Sequence, residues 1–178
     1  MIAFQIAAKA TRDALFLSSF DVATLPAMVM ASAAVSIALA IGAARWMSAT
    51  PPARLIPRLF ALSAGLLLLE WWLVARFRPL VAVVVYLHYG ALGAVLISGF
   101  WSLVNERFDP RTAKREVHRI VAAGTIGGVL GGLLAERWGA WGSVDGMLPL
   151  LAAIHLTCAG VLVRMAAADP AAGPRRPT

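Results

Sequence analysis

Six long apolar runs fill most of the chain, and arginine, proline and acidic residues gather in the short stretches between them. A helix needs about 20 apolar residues to cross the hydrocarbon of a bilayer. The runs predict helices over 2–20, 25–44, 59–75, 80–104, 117–136 and 147–163. Pro51-Pro52 stops the second run, and Arg76, Arg78 and Pro79 stop the third, because proline cannot continue a helix. Asp109-Pro110 reads as a helix start, with Asp109 able to cap free N–H groups and Pro110 at the first helical position. The expectation is an all-α, polytopic membrane protein of six transmembrane helices. Its single membrane domain covers 1–165, followed by a Pro- and Ala-rich tail over 166–178 that reads as disordered and cytosolic.

The fifth run carries the most specific pattern. Gly124, Gly128 and Gly132 are four apart, as are Gly127 and Gly131. On a helix the two series form one smooth strip, which lets a neighbouring helix approach closely in lipid. The first run is the most polar. Lys9, Arg12 and Asp13 sit on one helical face that Gln5 and Phe16 continue. A charge at a bilayer centre costs roughly 2.5–3.5 kcal/mol. Such a face therefore lines a polar cavity and forms a cationic substrate site, with Asp13 pairing Lys9 or Arg12. The bland alternative is a helix whose charges snorkel to an interface. The run begins abruptly at Met1, as if part of the helix were missing.

Glu70 is the one acid of the third run and precedes Trp71-Trp72. Tryptophan pairs favour the membrane–water boundary, so Glu70 reads as interfacial, with a buried coupling group for a proton or cation as the alternative. His88 and Tyr89 in the fourth run are candidate cavity residues, weighed against a histidine simply satisfied by a neighbouring helix. His155 is alone in the sixth run and reads as structural, and Cys158 is the single cysteine.

Composition narrows the class. Apolar residues make up 60% and charged residues 14%, where a soluble domain is nearer a quarter charged. The net charge of +7 comes from arginines clustered between apolar runs, with no aromatic-basic patch, which argues against nucleic acid. Eleven Lys and Arg lie after the second and fourth runs and at the C-terminal end; Arg76, Arg78 and Arg137 alone lie in the other connectors. By the positive-inside rule both termini are cytosolic, in the inner membrane. Glu106 and Asp109 on one basic connector are expected to latch onto Arg54 or Arg58 on the other. No metal spacing, nucleophile motif or phosphate-cradling loop occurs, so no cofactor and no enzyme are expected.

A further set of residues carries a resemblance. Arg12-Asp13-Ala14-Leu15-Phe16-Leu17 with Leu25-Pro26, then Phe100-Trp101, Asn105, Phe108-Asp109-Pro110-Arg111, Ala113-Lys114-Arg115 and Ala123-Gly124, resemble the first half of ATP/ADP carrier proteins. They are more similar still to the bacterial relatives of those carriers. The six-run plan looks like one half of a major facilitator superfamily transporter. The resemblance implies a nucleotide or other organic anion moved by alternating access once a second six-helix half, or a second copy, is paired. It gives Arg12 a part in transport. An acidic residue expected in the fourth run is replaced here by His88 and Tyr89, which weighs against ATP/ADP exchange. The alternative is a non-transporting membrane anchor or interaction module, or a truncated fragment without activity.

Overall fold

The computed structural model describes the backbone of residues 1–107 and 110–167, and side chains for 1–106 and 116–165. Among the described residues there are five α-helices and no strand: α1 (Ile2–Leu17), α2 (Leu25–Ala49), α3 (Pro52–Arg107), α4 (Pro110–Trp141) and α5 (Met147–Ala167). Among the described residues, four segments are long and apolar enough to cross a membrane: 22–49, 52–106, 116–141 and 144–165. By length and composition these helices are compatible with a membrane-embedded protein. α1, with 16 residues and three charges, is not among the four.

The main departure from the six expected helices is α3. The third and fourth runs form one 56-residue element, broken only at Phe77 (φ −132°, ψ 47°). Pro79 removes the N–H that would bond the Ala75 carbonyl, and its ring crowds that carbonyl. Proline also crowds the residue before it, yet Arg78 keeps helical angles. Phe77 takes up the whole change of direction, so no loop residues separate the arms. The arms lie antiparallel, with Ile56 against Gly99 and Ser63 against His88. At about 25 and 30 residues each, they measure roughly 37 and 45 Å.

Helix ends also run further than expected. α2 continues to Ala49, α3 already begins at Pro52 and so takes in Arg54 and Arg58, and α4 spans Pro110–Trp141. α1 stops earlier, at Leu17 rather than residue 20. Much of the expected charged connector is thus the first turns of α4, a helix able to start at Pro110 because proline is harmless there. α5 reaches Ala167, and the rest of the tail, 168–178, lies outside the described residues.

The connectors sort to the two ends of the bundle. At one end, Phe20, Trp138 and Val144 pack on a core of Phe4, Leu15, Leu67, Val85 and Leu148. There Arg78, beside the α3 break, donates to Asp145 in the α4–α5 turn at 2.8 Å. At the other end Met1, Met47, Leu55, Phe60, Leu96 and Leu162 share a second core. The outer surface is strongly apolar, with Met30, Ile37, Trp72 and Ile126 well exposed. Such an apolar belt suits lipid rather than water.

Candidate functional site: a polar seam inside an apolar bundle

α1 is the pivot of the bundle. Its Ile2, Ala3 and Ile6 lie on the glycine strip of α4. A Cβ built on Gly131 would lie 2.8 Å from Ala3 Cα, inside any real contact distance, and one on Gly127 would lie 3.4 Å from the Ala3 nitrogen. Gly124, Gly128 and Gly132 meet only the side chains of Ile2 and Ile6, at 3.4, 3.7 and 4.0 Å. The backbones touch at Gly131; the rest of the strip is ordinary contact.

The opposite side of α1 faces the second arm of α3. Gln5 lies by Gly93, Phe4 meets Tyr89 edge-on, and Phe16 packs on Tyr86. Arg12 reaches into this seam. Its side chain is 17% exposed, its Nε donates to Asp13 Oδ1 at 2.9 Å, and its guanidinium sits 4.2 Å from the centre of the Tyr86 ring. Of the two expected partners, Asp13 takes Arg12. Lys9 is exposed and has no hydrogen bond or ion pair among the described residues. Arg12 can hold its charge in an apolar setting because a carboxylate neutralises it and an aromatic face solvates it.

A second polar feature runs through the interior. Glu70 points into the bundle, while Trp71 and Trp72 point out. Glu70 is thus buried between helices: adjacent residues on a helix face different ways, so the tryptophan pair marks the outer face and says nothing of which way residue 70 points. Glu70 Oε1 and His88 Nδ1 are 2.8 Å apart, with both side chains 5% exposed. His88 Nε2 is 2.9 Å from Ser63 Oγ, and Ser63 Oγ is 2.8 Å from His155 Nδ1. Four side chains from both arms of α3 and from α5 form one unbroken chain. Phe4 stacks on His155, Phe60 meets it edge-on, and Tyr89 stacks on His88.

Sequence reasoning set His88, Tyr89 and Glu70 apart but joined none of them to one another. His155, read as a lone structural residue, is the fourth member of the chain. Ser63 and Tyr86 were missed. The only available signal for Ser63 was a hydroxyl in an otherwise apolar run, seven residues before Glu70 and therefore on the same helical face.

The seam at Arg12 and the interior chain are separate: Tyr86 belongs to the first, while His88 and Glu70 belong to the second. Tyr89 stands between them, touching Phe4 on one side and His88 on the other. The expected latch shows no ion pair between Glu106 and Arg54 or Arg58 among the described residues, and Asp109 lies outside them. The described His, Cys, Asp and Glu residues form no group able to hold a metal ion. No family model, curated protein or solved structure matches the chain.

Proposed function

We propose that this chain is a multi-pass protein of the inner membrane, a six-span half of a transporter that moves a nucleotide or another organic anion by alternating access when paired with a second half or a second copy. On this reading α1 and the two arms of α3 count as separate spans, and the end of the bundle carrying Met1 and the α2–α3 turn faces the cytosol. The observation that carries the reading is Arg12, a cation set in the seam between α1 and α3 with the unpaired Lys9 one turn away. A cation held where hydrocarbon surrounds it is costly, and intramembrane charges commonly mark substrate paths. One half supplies a wall, and the substrate path forms between halves.

The second reading is a non-transporting membrane module. It is favoured by the pairing of Arg12 with Asp13 and Tyr86, which already satisfies the guanidinium. Purified protein in lipid vesicles separates the two. Labelled nucleotides and smaller phosphorylated anions are equilibrated with the vesicles, with Arg12→Ala and Lys9→Ala beside the parent. The transporter reading expects saturable binding that both variants lose while still inserting as folded protein. Equal binding by parent and variants, or none by any, supports the module.

A further inference from the structure

The chain Glu70–His88–Ser63–His155 has a property that packing alone does not require. Each link is 2.8–2.9 Å long, and all four side chains are buried. Both ends finish in an unpartnered atom: Glu70 Oε2 and His155 Nε2 are two of the four buried side-chain polar atoms without a hydrogen bond among the described residues. A purely structural network would close on itself, because an unpaired buried polar group costs about 1–3 kcal/mol. This one is open at both ends and continuous between them.

We propose that Glu70, His88, Ser63 and His155 form a proton-binding wire that takes up one exchangeable proton and passes it between His155 Nε2 and the Glu70 carboxylate. The hydrogen-bond inventory sets the mechanism. With Glu70 ionised, His88 donates Nδ1–H to it and must accept at Nε2, so Ser63 donates to His88. Ser63 then accepts from His155 Nδ1–H, which leaves a lone pair on His155 Nε2. A proton arriving there forms a new N–H bond. The Nδ1–H bond of His155 breaks as its proton moves to Ser63 Oγ. The former Ser63 proton moves to His88 Nε2. One proton has entered, the two links at Ser63 have reversed direction, and His88 is an imidazolium whose Nδ1–H still donates to the Glu70 carboxylate. No electrons change hands and no co-reactant is needed. Release is the reverse, or passage of the His88 Nδ1 proton to Glu70.

The surroundings fit a proton rather than a larger ion. Aromatic rings wall the wire: Phe4 and Phe60 at His155, Tyr89 at His88. A crevice of about 420 Å³ between α1, α3, α4 and α5 is lined by Phe60, the ring that meets His155 edge-on. The charged or titratable groups bearing on the wire are few. The Met1 amino group of α1 acts on His155, and Tyr89 feels Glu70. α2 brings Ser32 and Ser36 to Gly90, α4 brings Leu134, Ala135 and Trp138, and α5 otherwise brings Leu148, Leu151 and Ala152. The proton site stands on its own geometry; its use as the coupling ion rests on the transport reading above.

The test is histidine ¹⁵N NMR on the full chain in lipid vesicles, with His118→Gln leaving two rings to follow between pH 5 and 9. A wire makes His155 change tautomer at the same pH at which His88 becomes an imidazolium. Glu70→Gln then alters the His155 ring signals three links away, Ser63→Ala makes the two rings titrate separately, and Ser63→Thr, which keeps the hydroxyl, restores the joint response. The proposal is overturned if Glu70→Gln leaves His155 unchanged, or if folded Ser63→Ala protein titrates like the parent. Should Ser63→Ala not fold, Glu70→Gln and Ser63→Thr decide alone. A dye reporting internal pH in the same vesicles tests the coupling separately. Joint titration without anion-driven proton movement keeps the wire and removes its coupling to anion transport.

Discussion

Gly131 of α4 lies directly on Ala3 of α1, so close that a Cβ on the glycine would stand 2.8 and 2.9 Å from the Ala3 Cα and carbonyl carbon. Backbone cannot yield as a flexible side chain can. Gly131→Ala therefore pushes α1 off α4 and costs about 1–3 kcal/mol, in the range of overpacked cores. Gly139, two turns on, has nothing within 4 Å of its Cβ position. There alanine improves helix propensity by up to about 1 kcal/mol. Thermal unfolding in mild detergent, followed by tryptophan fluorescence, is expected to move in opposite directions for the two variants. Equal shifts would mean that the α1–α4 contact is looser than this geometry.

Helix content, the places of the apolar runs and the glycine strip are legible in the sequence because each rests on spacing along one helix. What lay beyond reach depends on pairs of helices. Nothing local says that residue 63 meets residues 88 and 155. The tryptophan pair also drew Glu70 towards the boundary, although residues 70 and 71 face different ways on a helix. The hairpin at Phe77 was legible as a stop but not as a one-residue break, since Pro79 forbids continuation without fixing how the chain turns. The split of connectors between the two ends follows from their alternation. The structure repeats that split through the Arg78–Asp145 contact.

Glu70 and His88 are each other's partners in a site that water does not reach. Glu70→Ala removes the acceptor, strands the buried His88 Nδ1–H and leaves a cavity; the unsatisfied donor alone costs about 1–3 kcal/mol, with the cavity added to it. Glu70→Gln keeps an acceptor for His88 Nδ1–H and is expected to lose roughly 1 kcal/mol, near the cost of one hydrogen bond. The ratio of the two losses, read from unfolding midpoints, checks the geometry. Similar losses for both would show that residue 70 is not held by His88.

The Arg78–Asp145 pair is a different case. Its side chains are 42% and 22% exposed, so its contribution is that of a surface ion pair, about 0.2–1 kcal/mol. Its value is topological. With Cys158→Ala as background, single cysteines at Arg78 and Asp145 are expected to react with an impermeant thiol reagent from the same side of sealed vesicles. A cysteine at Thr50, in the α2–α3 turn, is expected to react only from the other side. Labelling of Thr50→Cys and Asp145→Cys from one side would break the bundle orientation described here.

Arg12 holds two relationships at once, a 2.9 Å bond to Asp13 and a position 4.2 Å above the Tyr86 ring, and they predict different outcomes for three variants. Tyr86→Leu keeps an apolar side chain at the site but loses the aromatic face; the lost ring–cation contact is expected to cost about 0.5–2 kcal/mol of stability. Arg12→Lys loses the planar fork and the stacking together, so it is not a conservative change here, and its loss is expected to match or exceed that of Tyr86→Leu. Asp13→Asn is the discriminating variant. It removes the internal anion and leaves the guanidinium to be neutralised from outside. If Arg12 belongs to an anion site, Asp13→Asn is expected to bind a phosphorylated anion several-fold more tightly while unfolding at lower temperature than the parent. If Arg12 only braces α1 against α3, the variant loses stability with no gain in binding. Equilibrium binding and unfolding on the same vesicle preparation read both quantities, and only the anion site moves them in opposite directions.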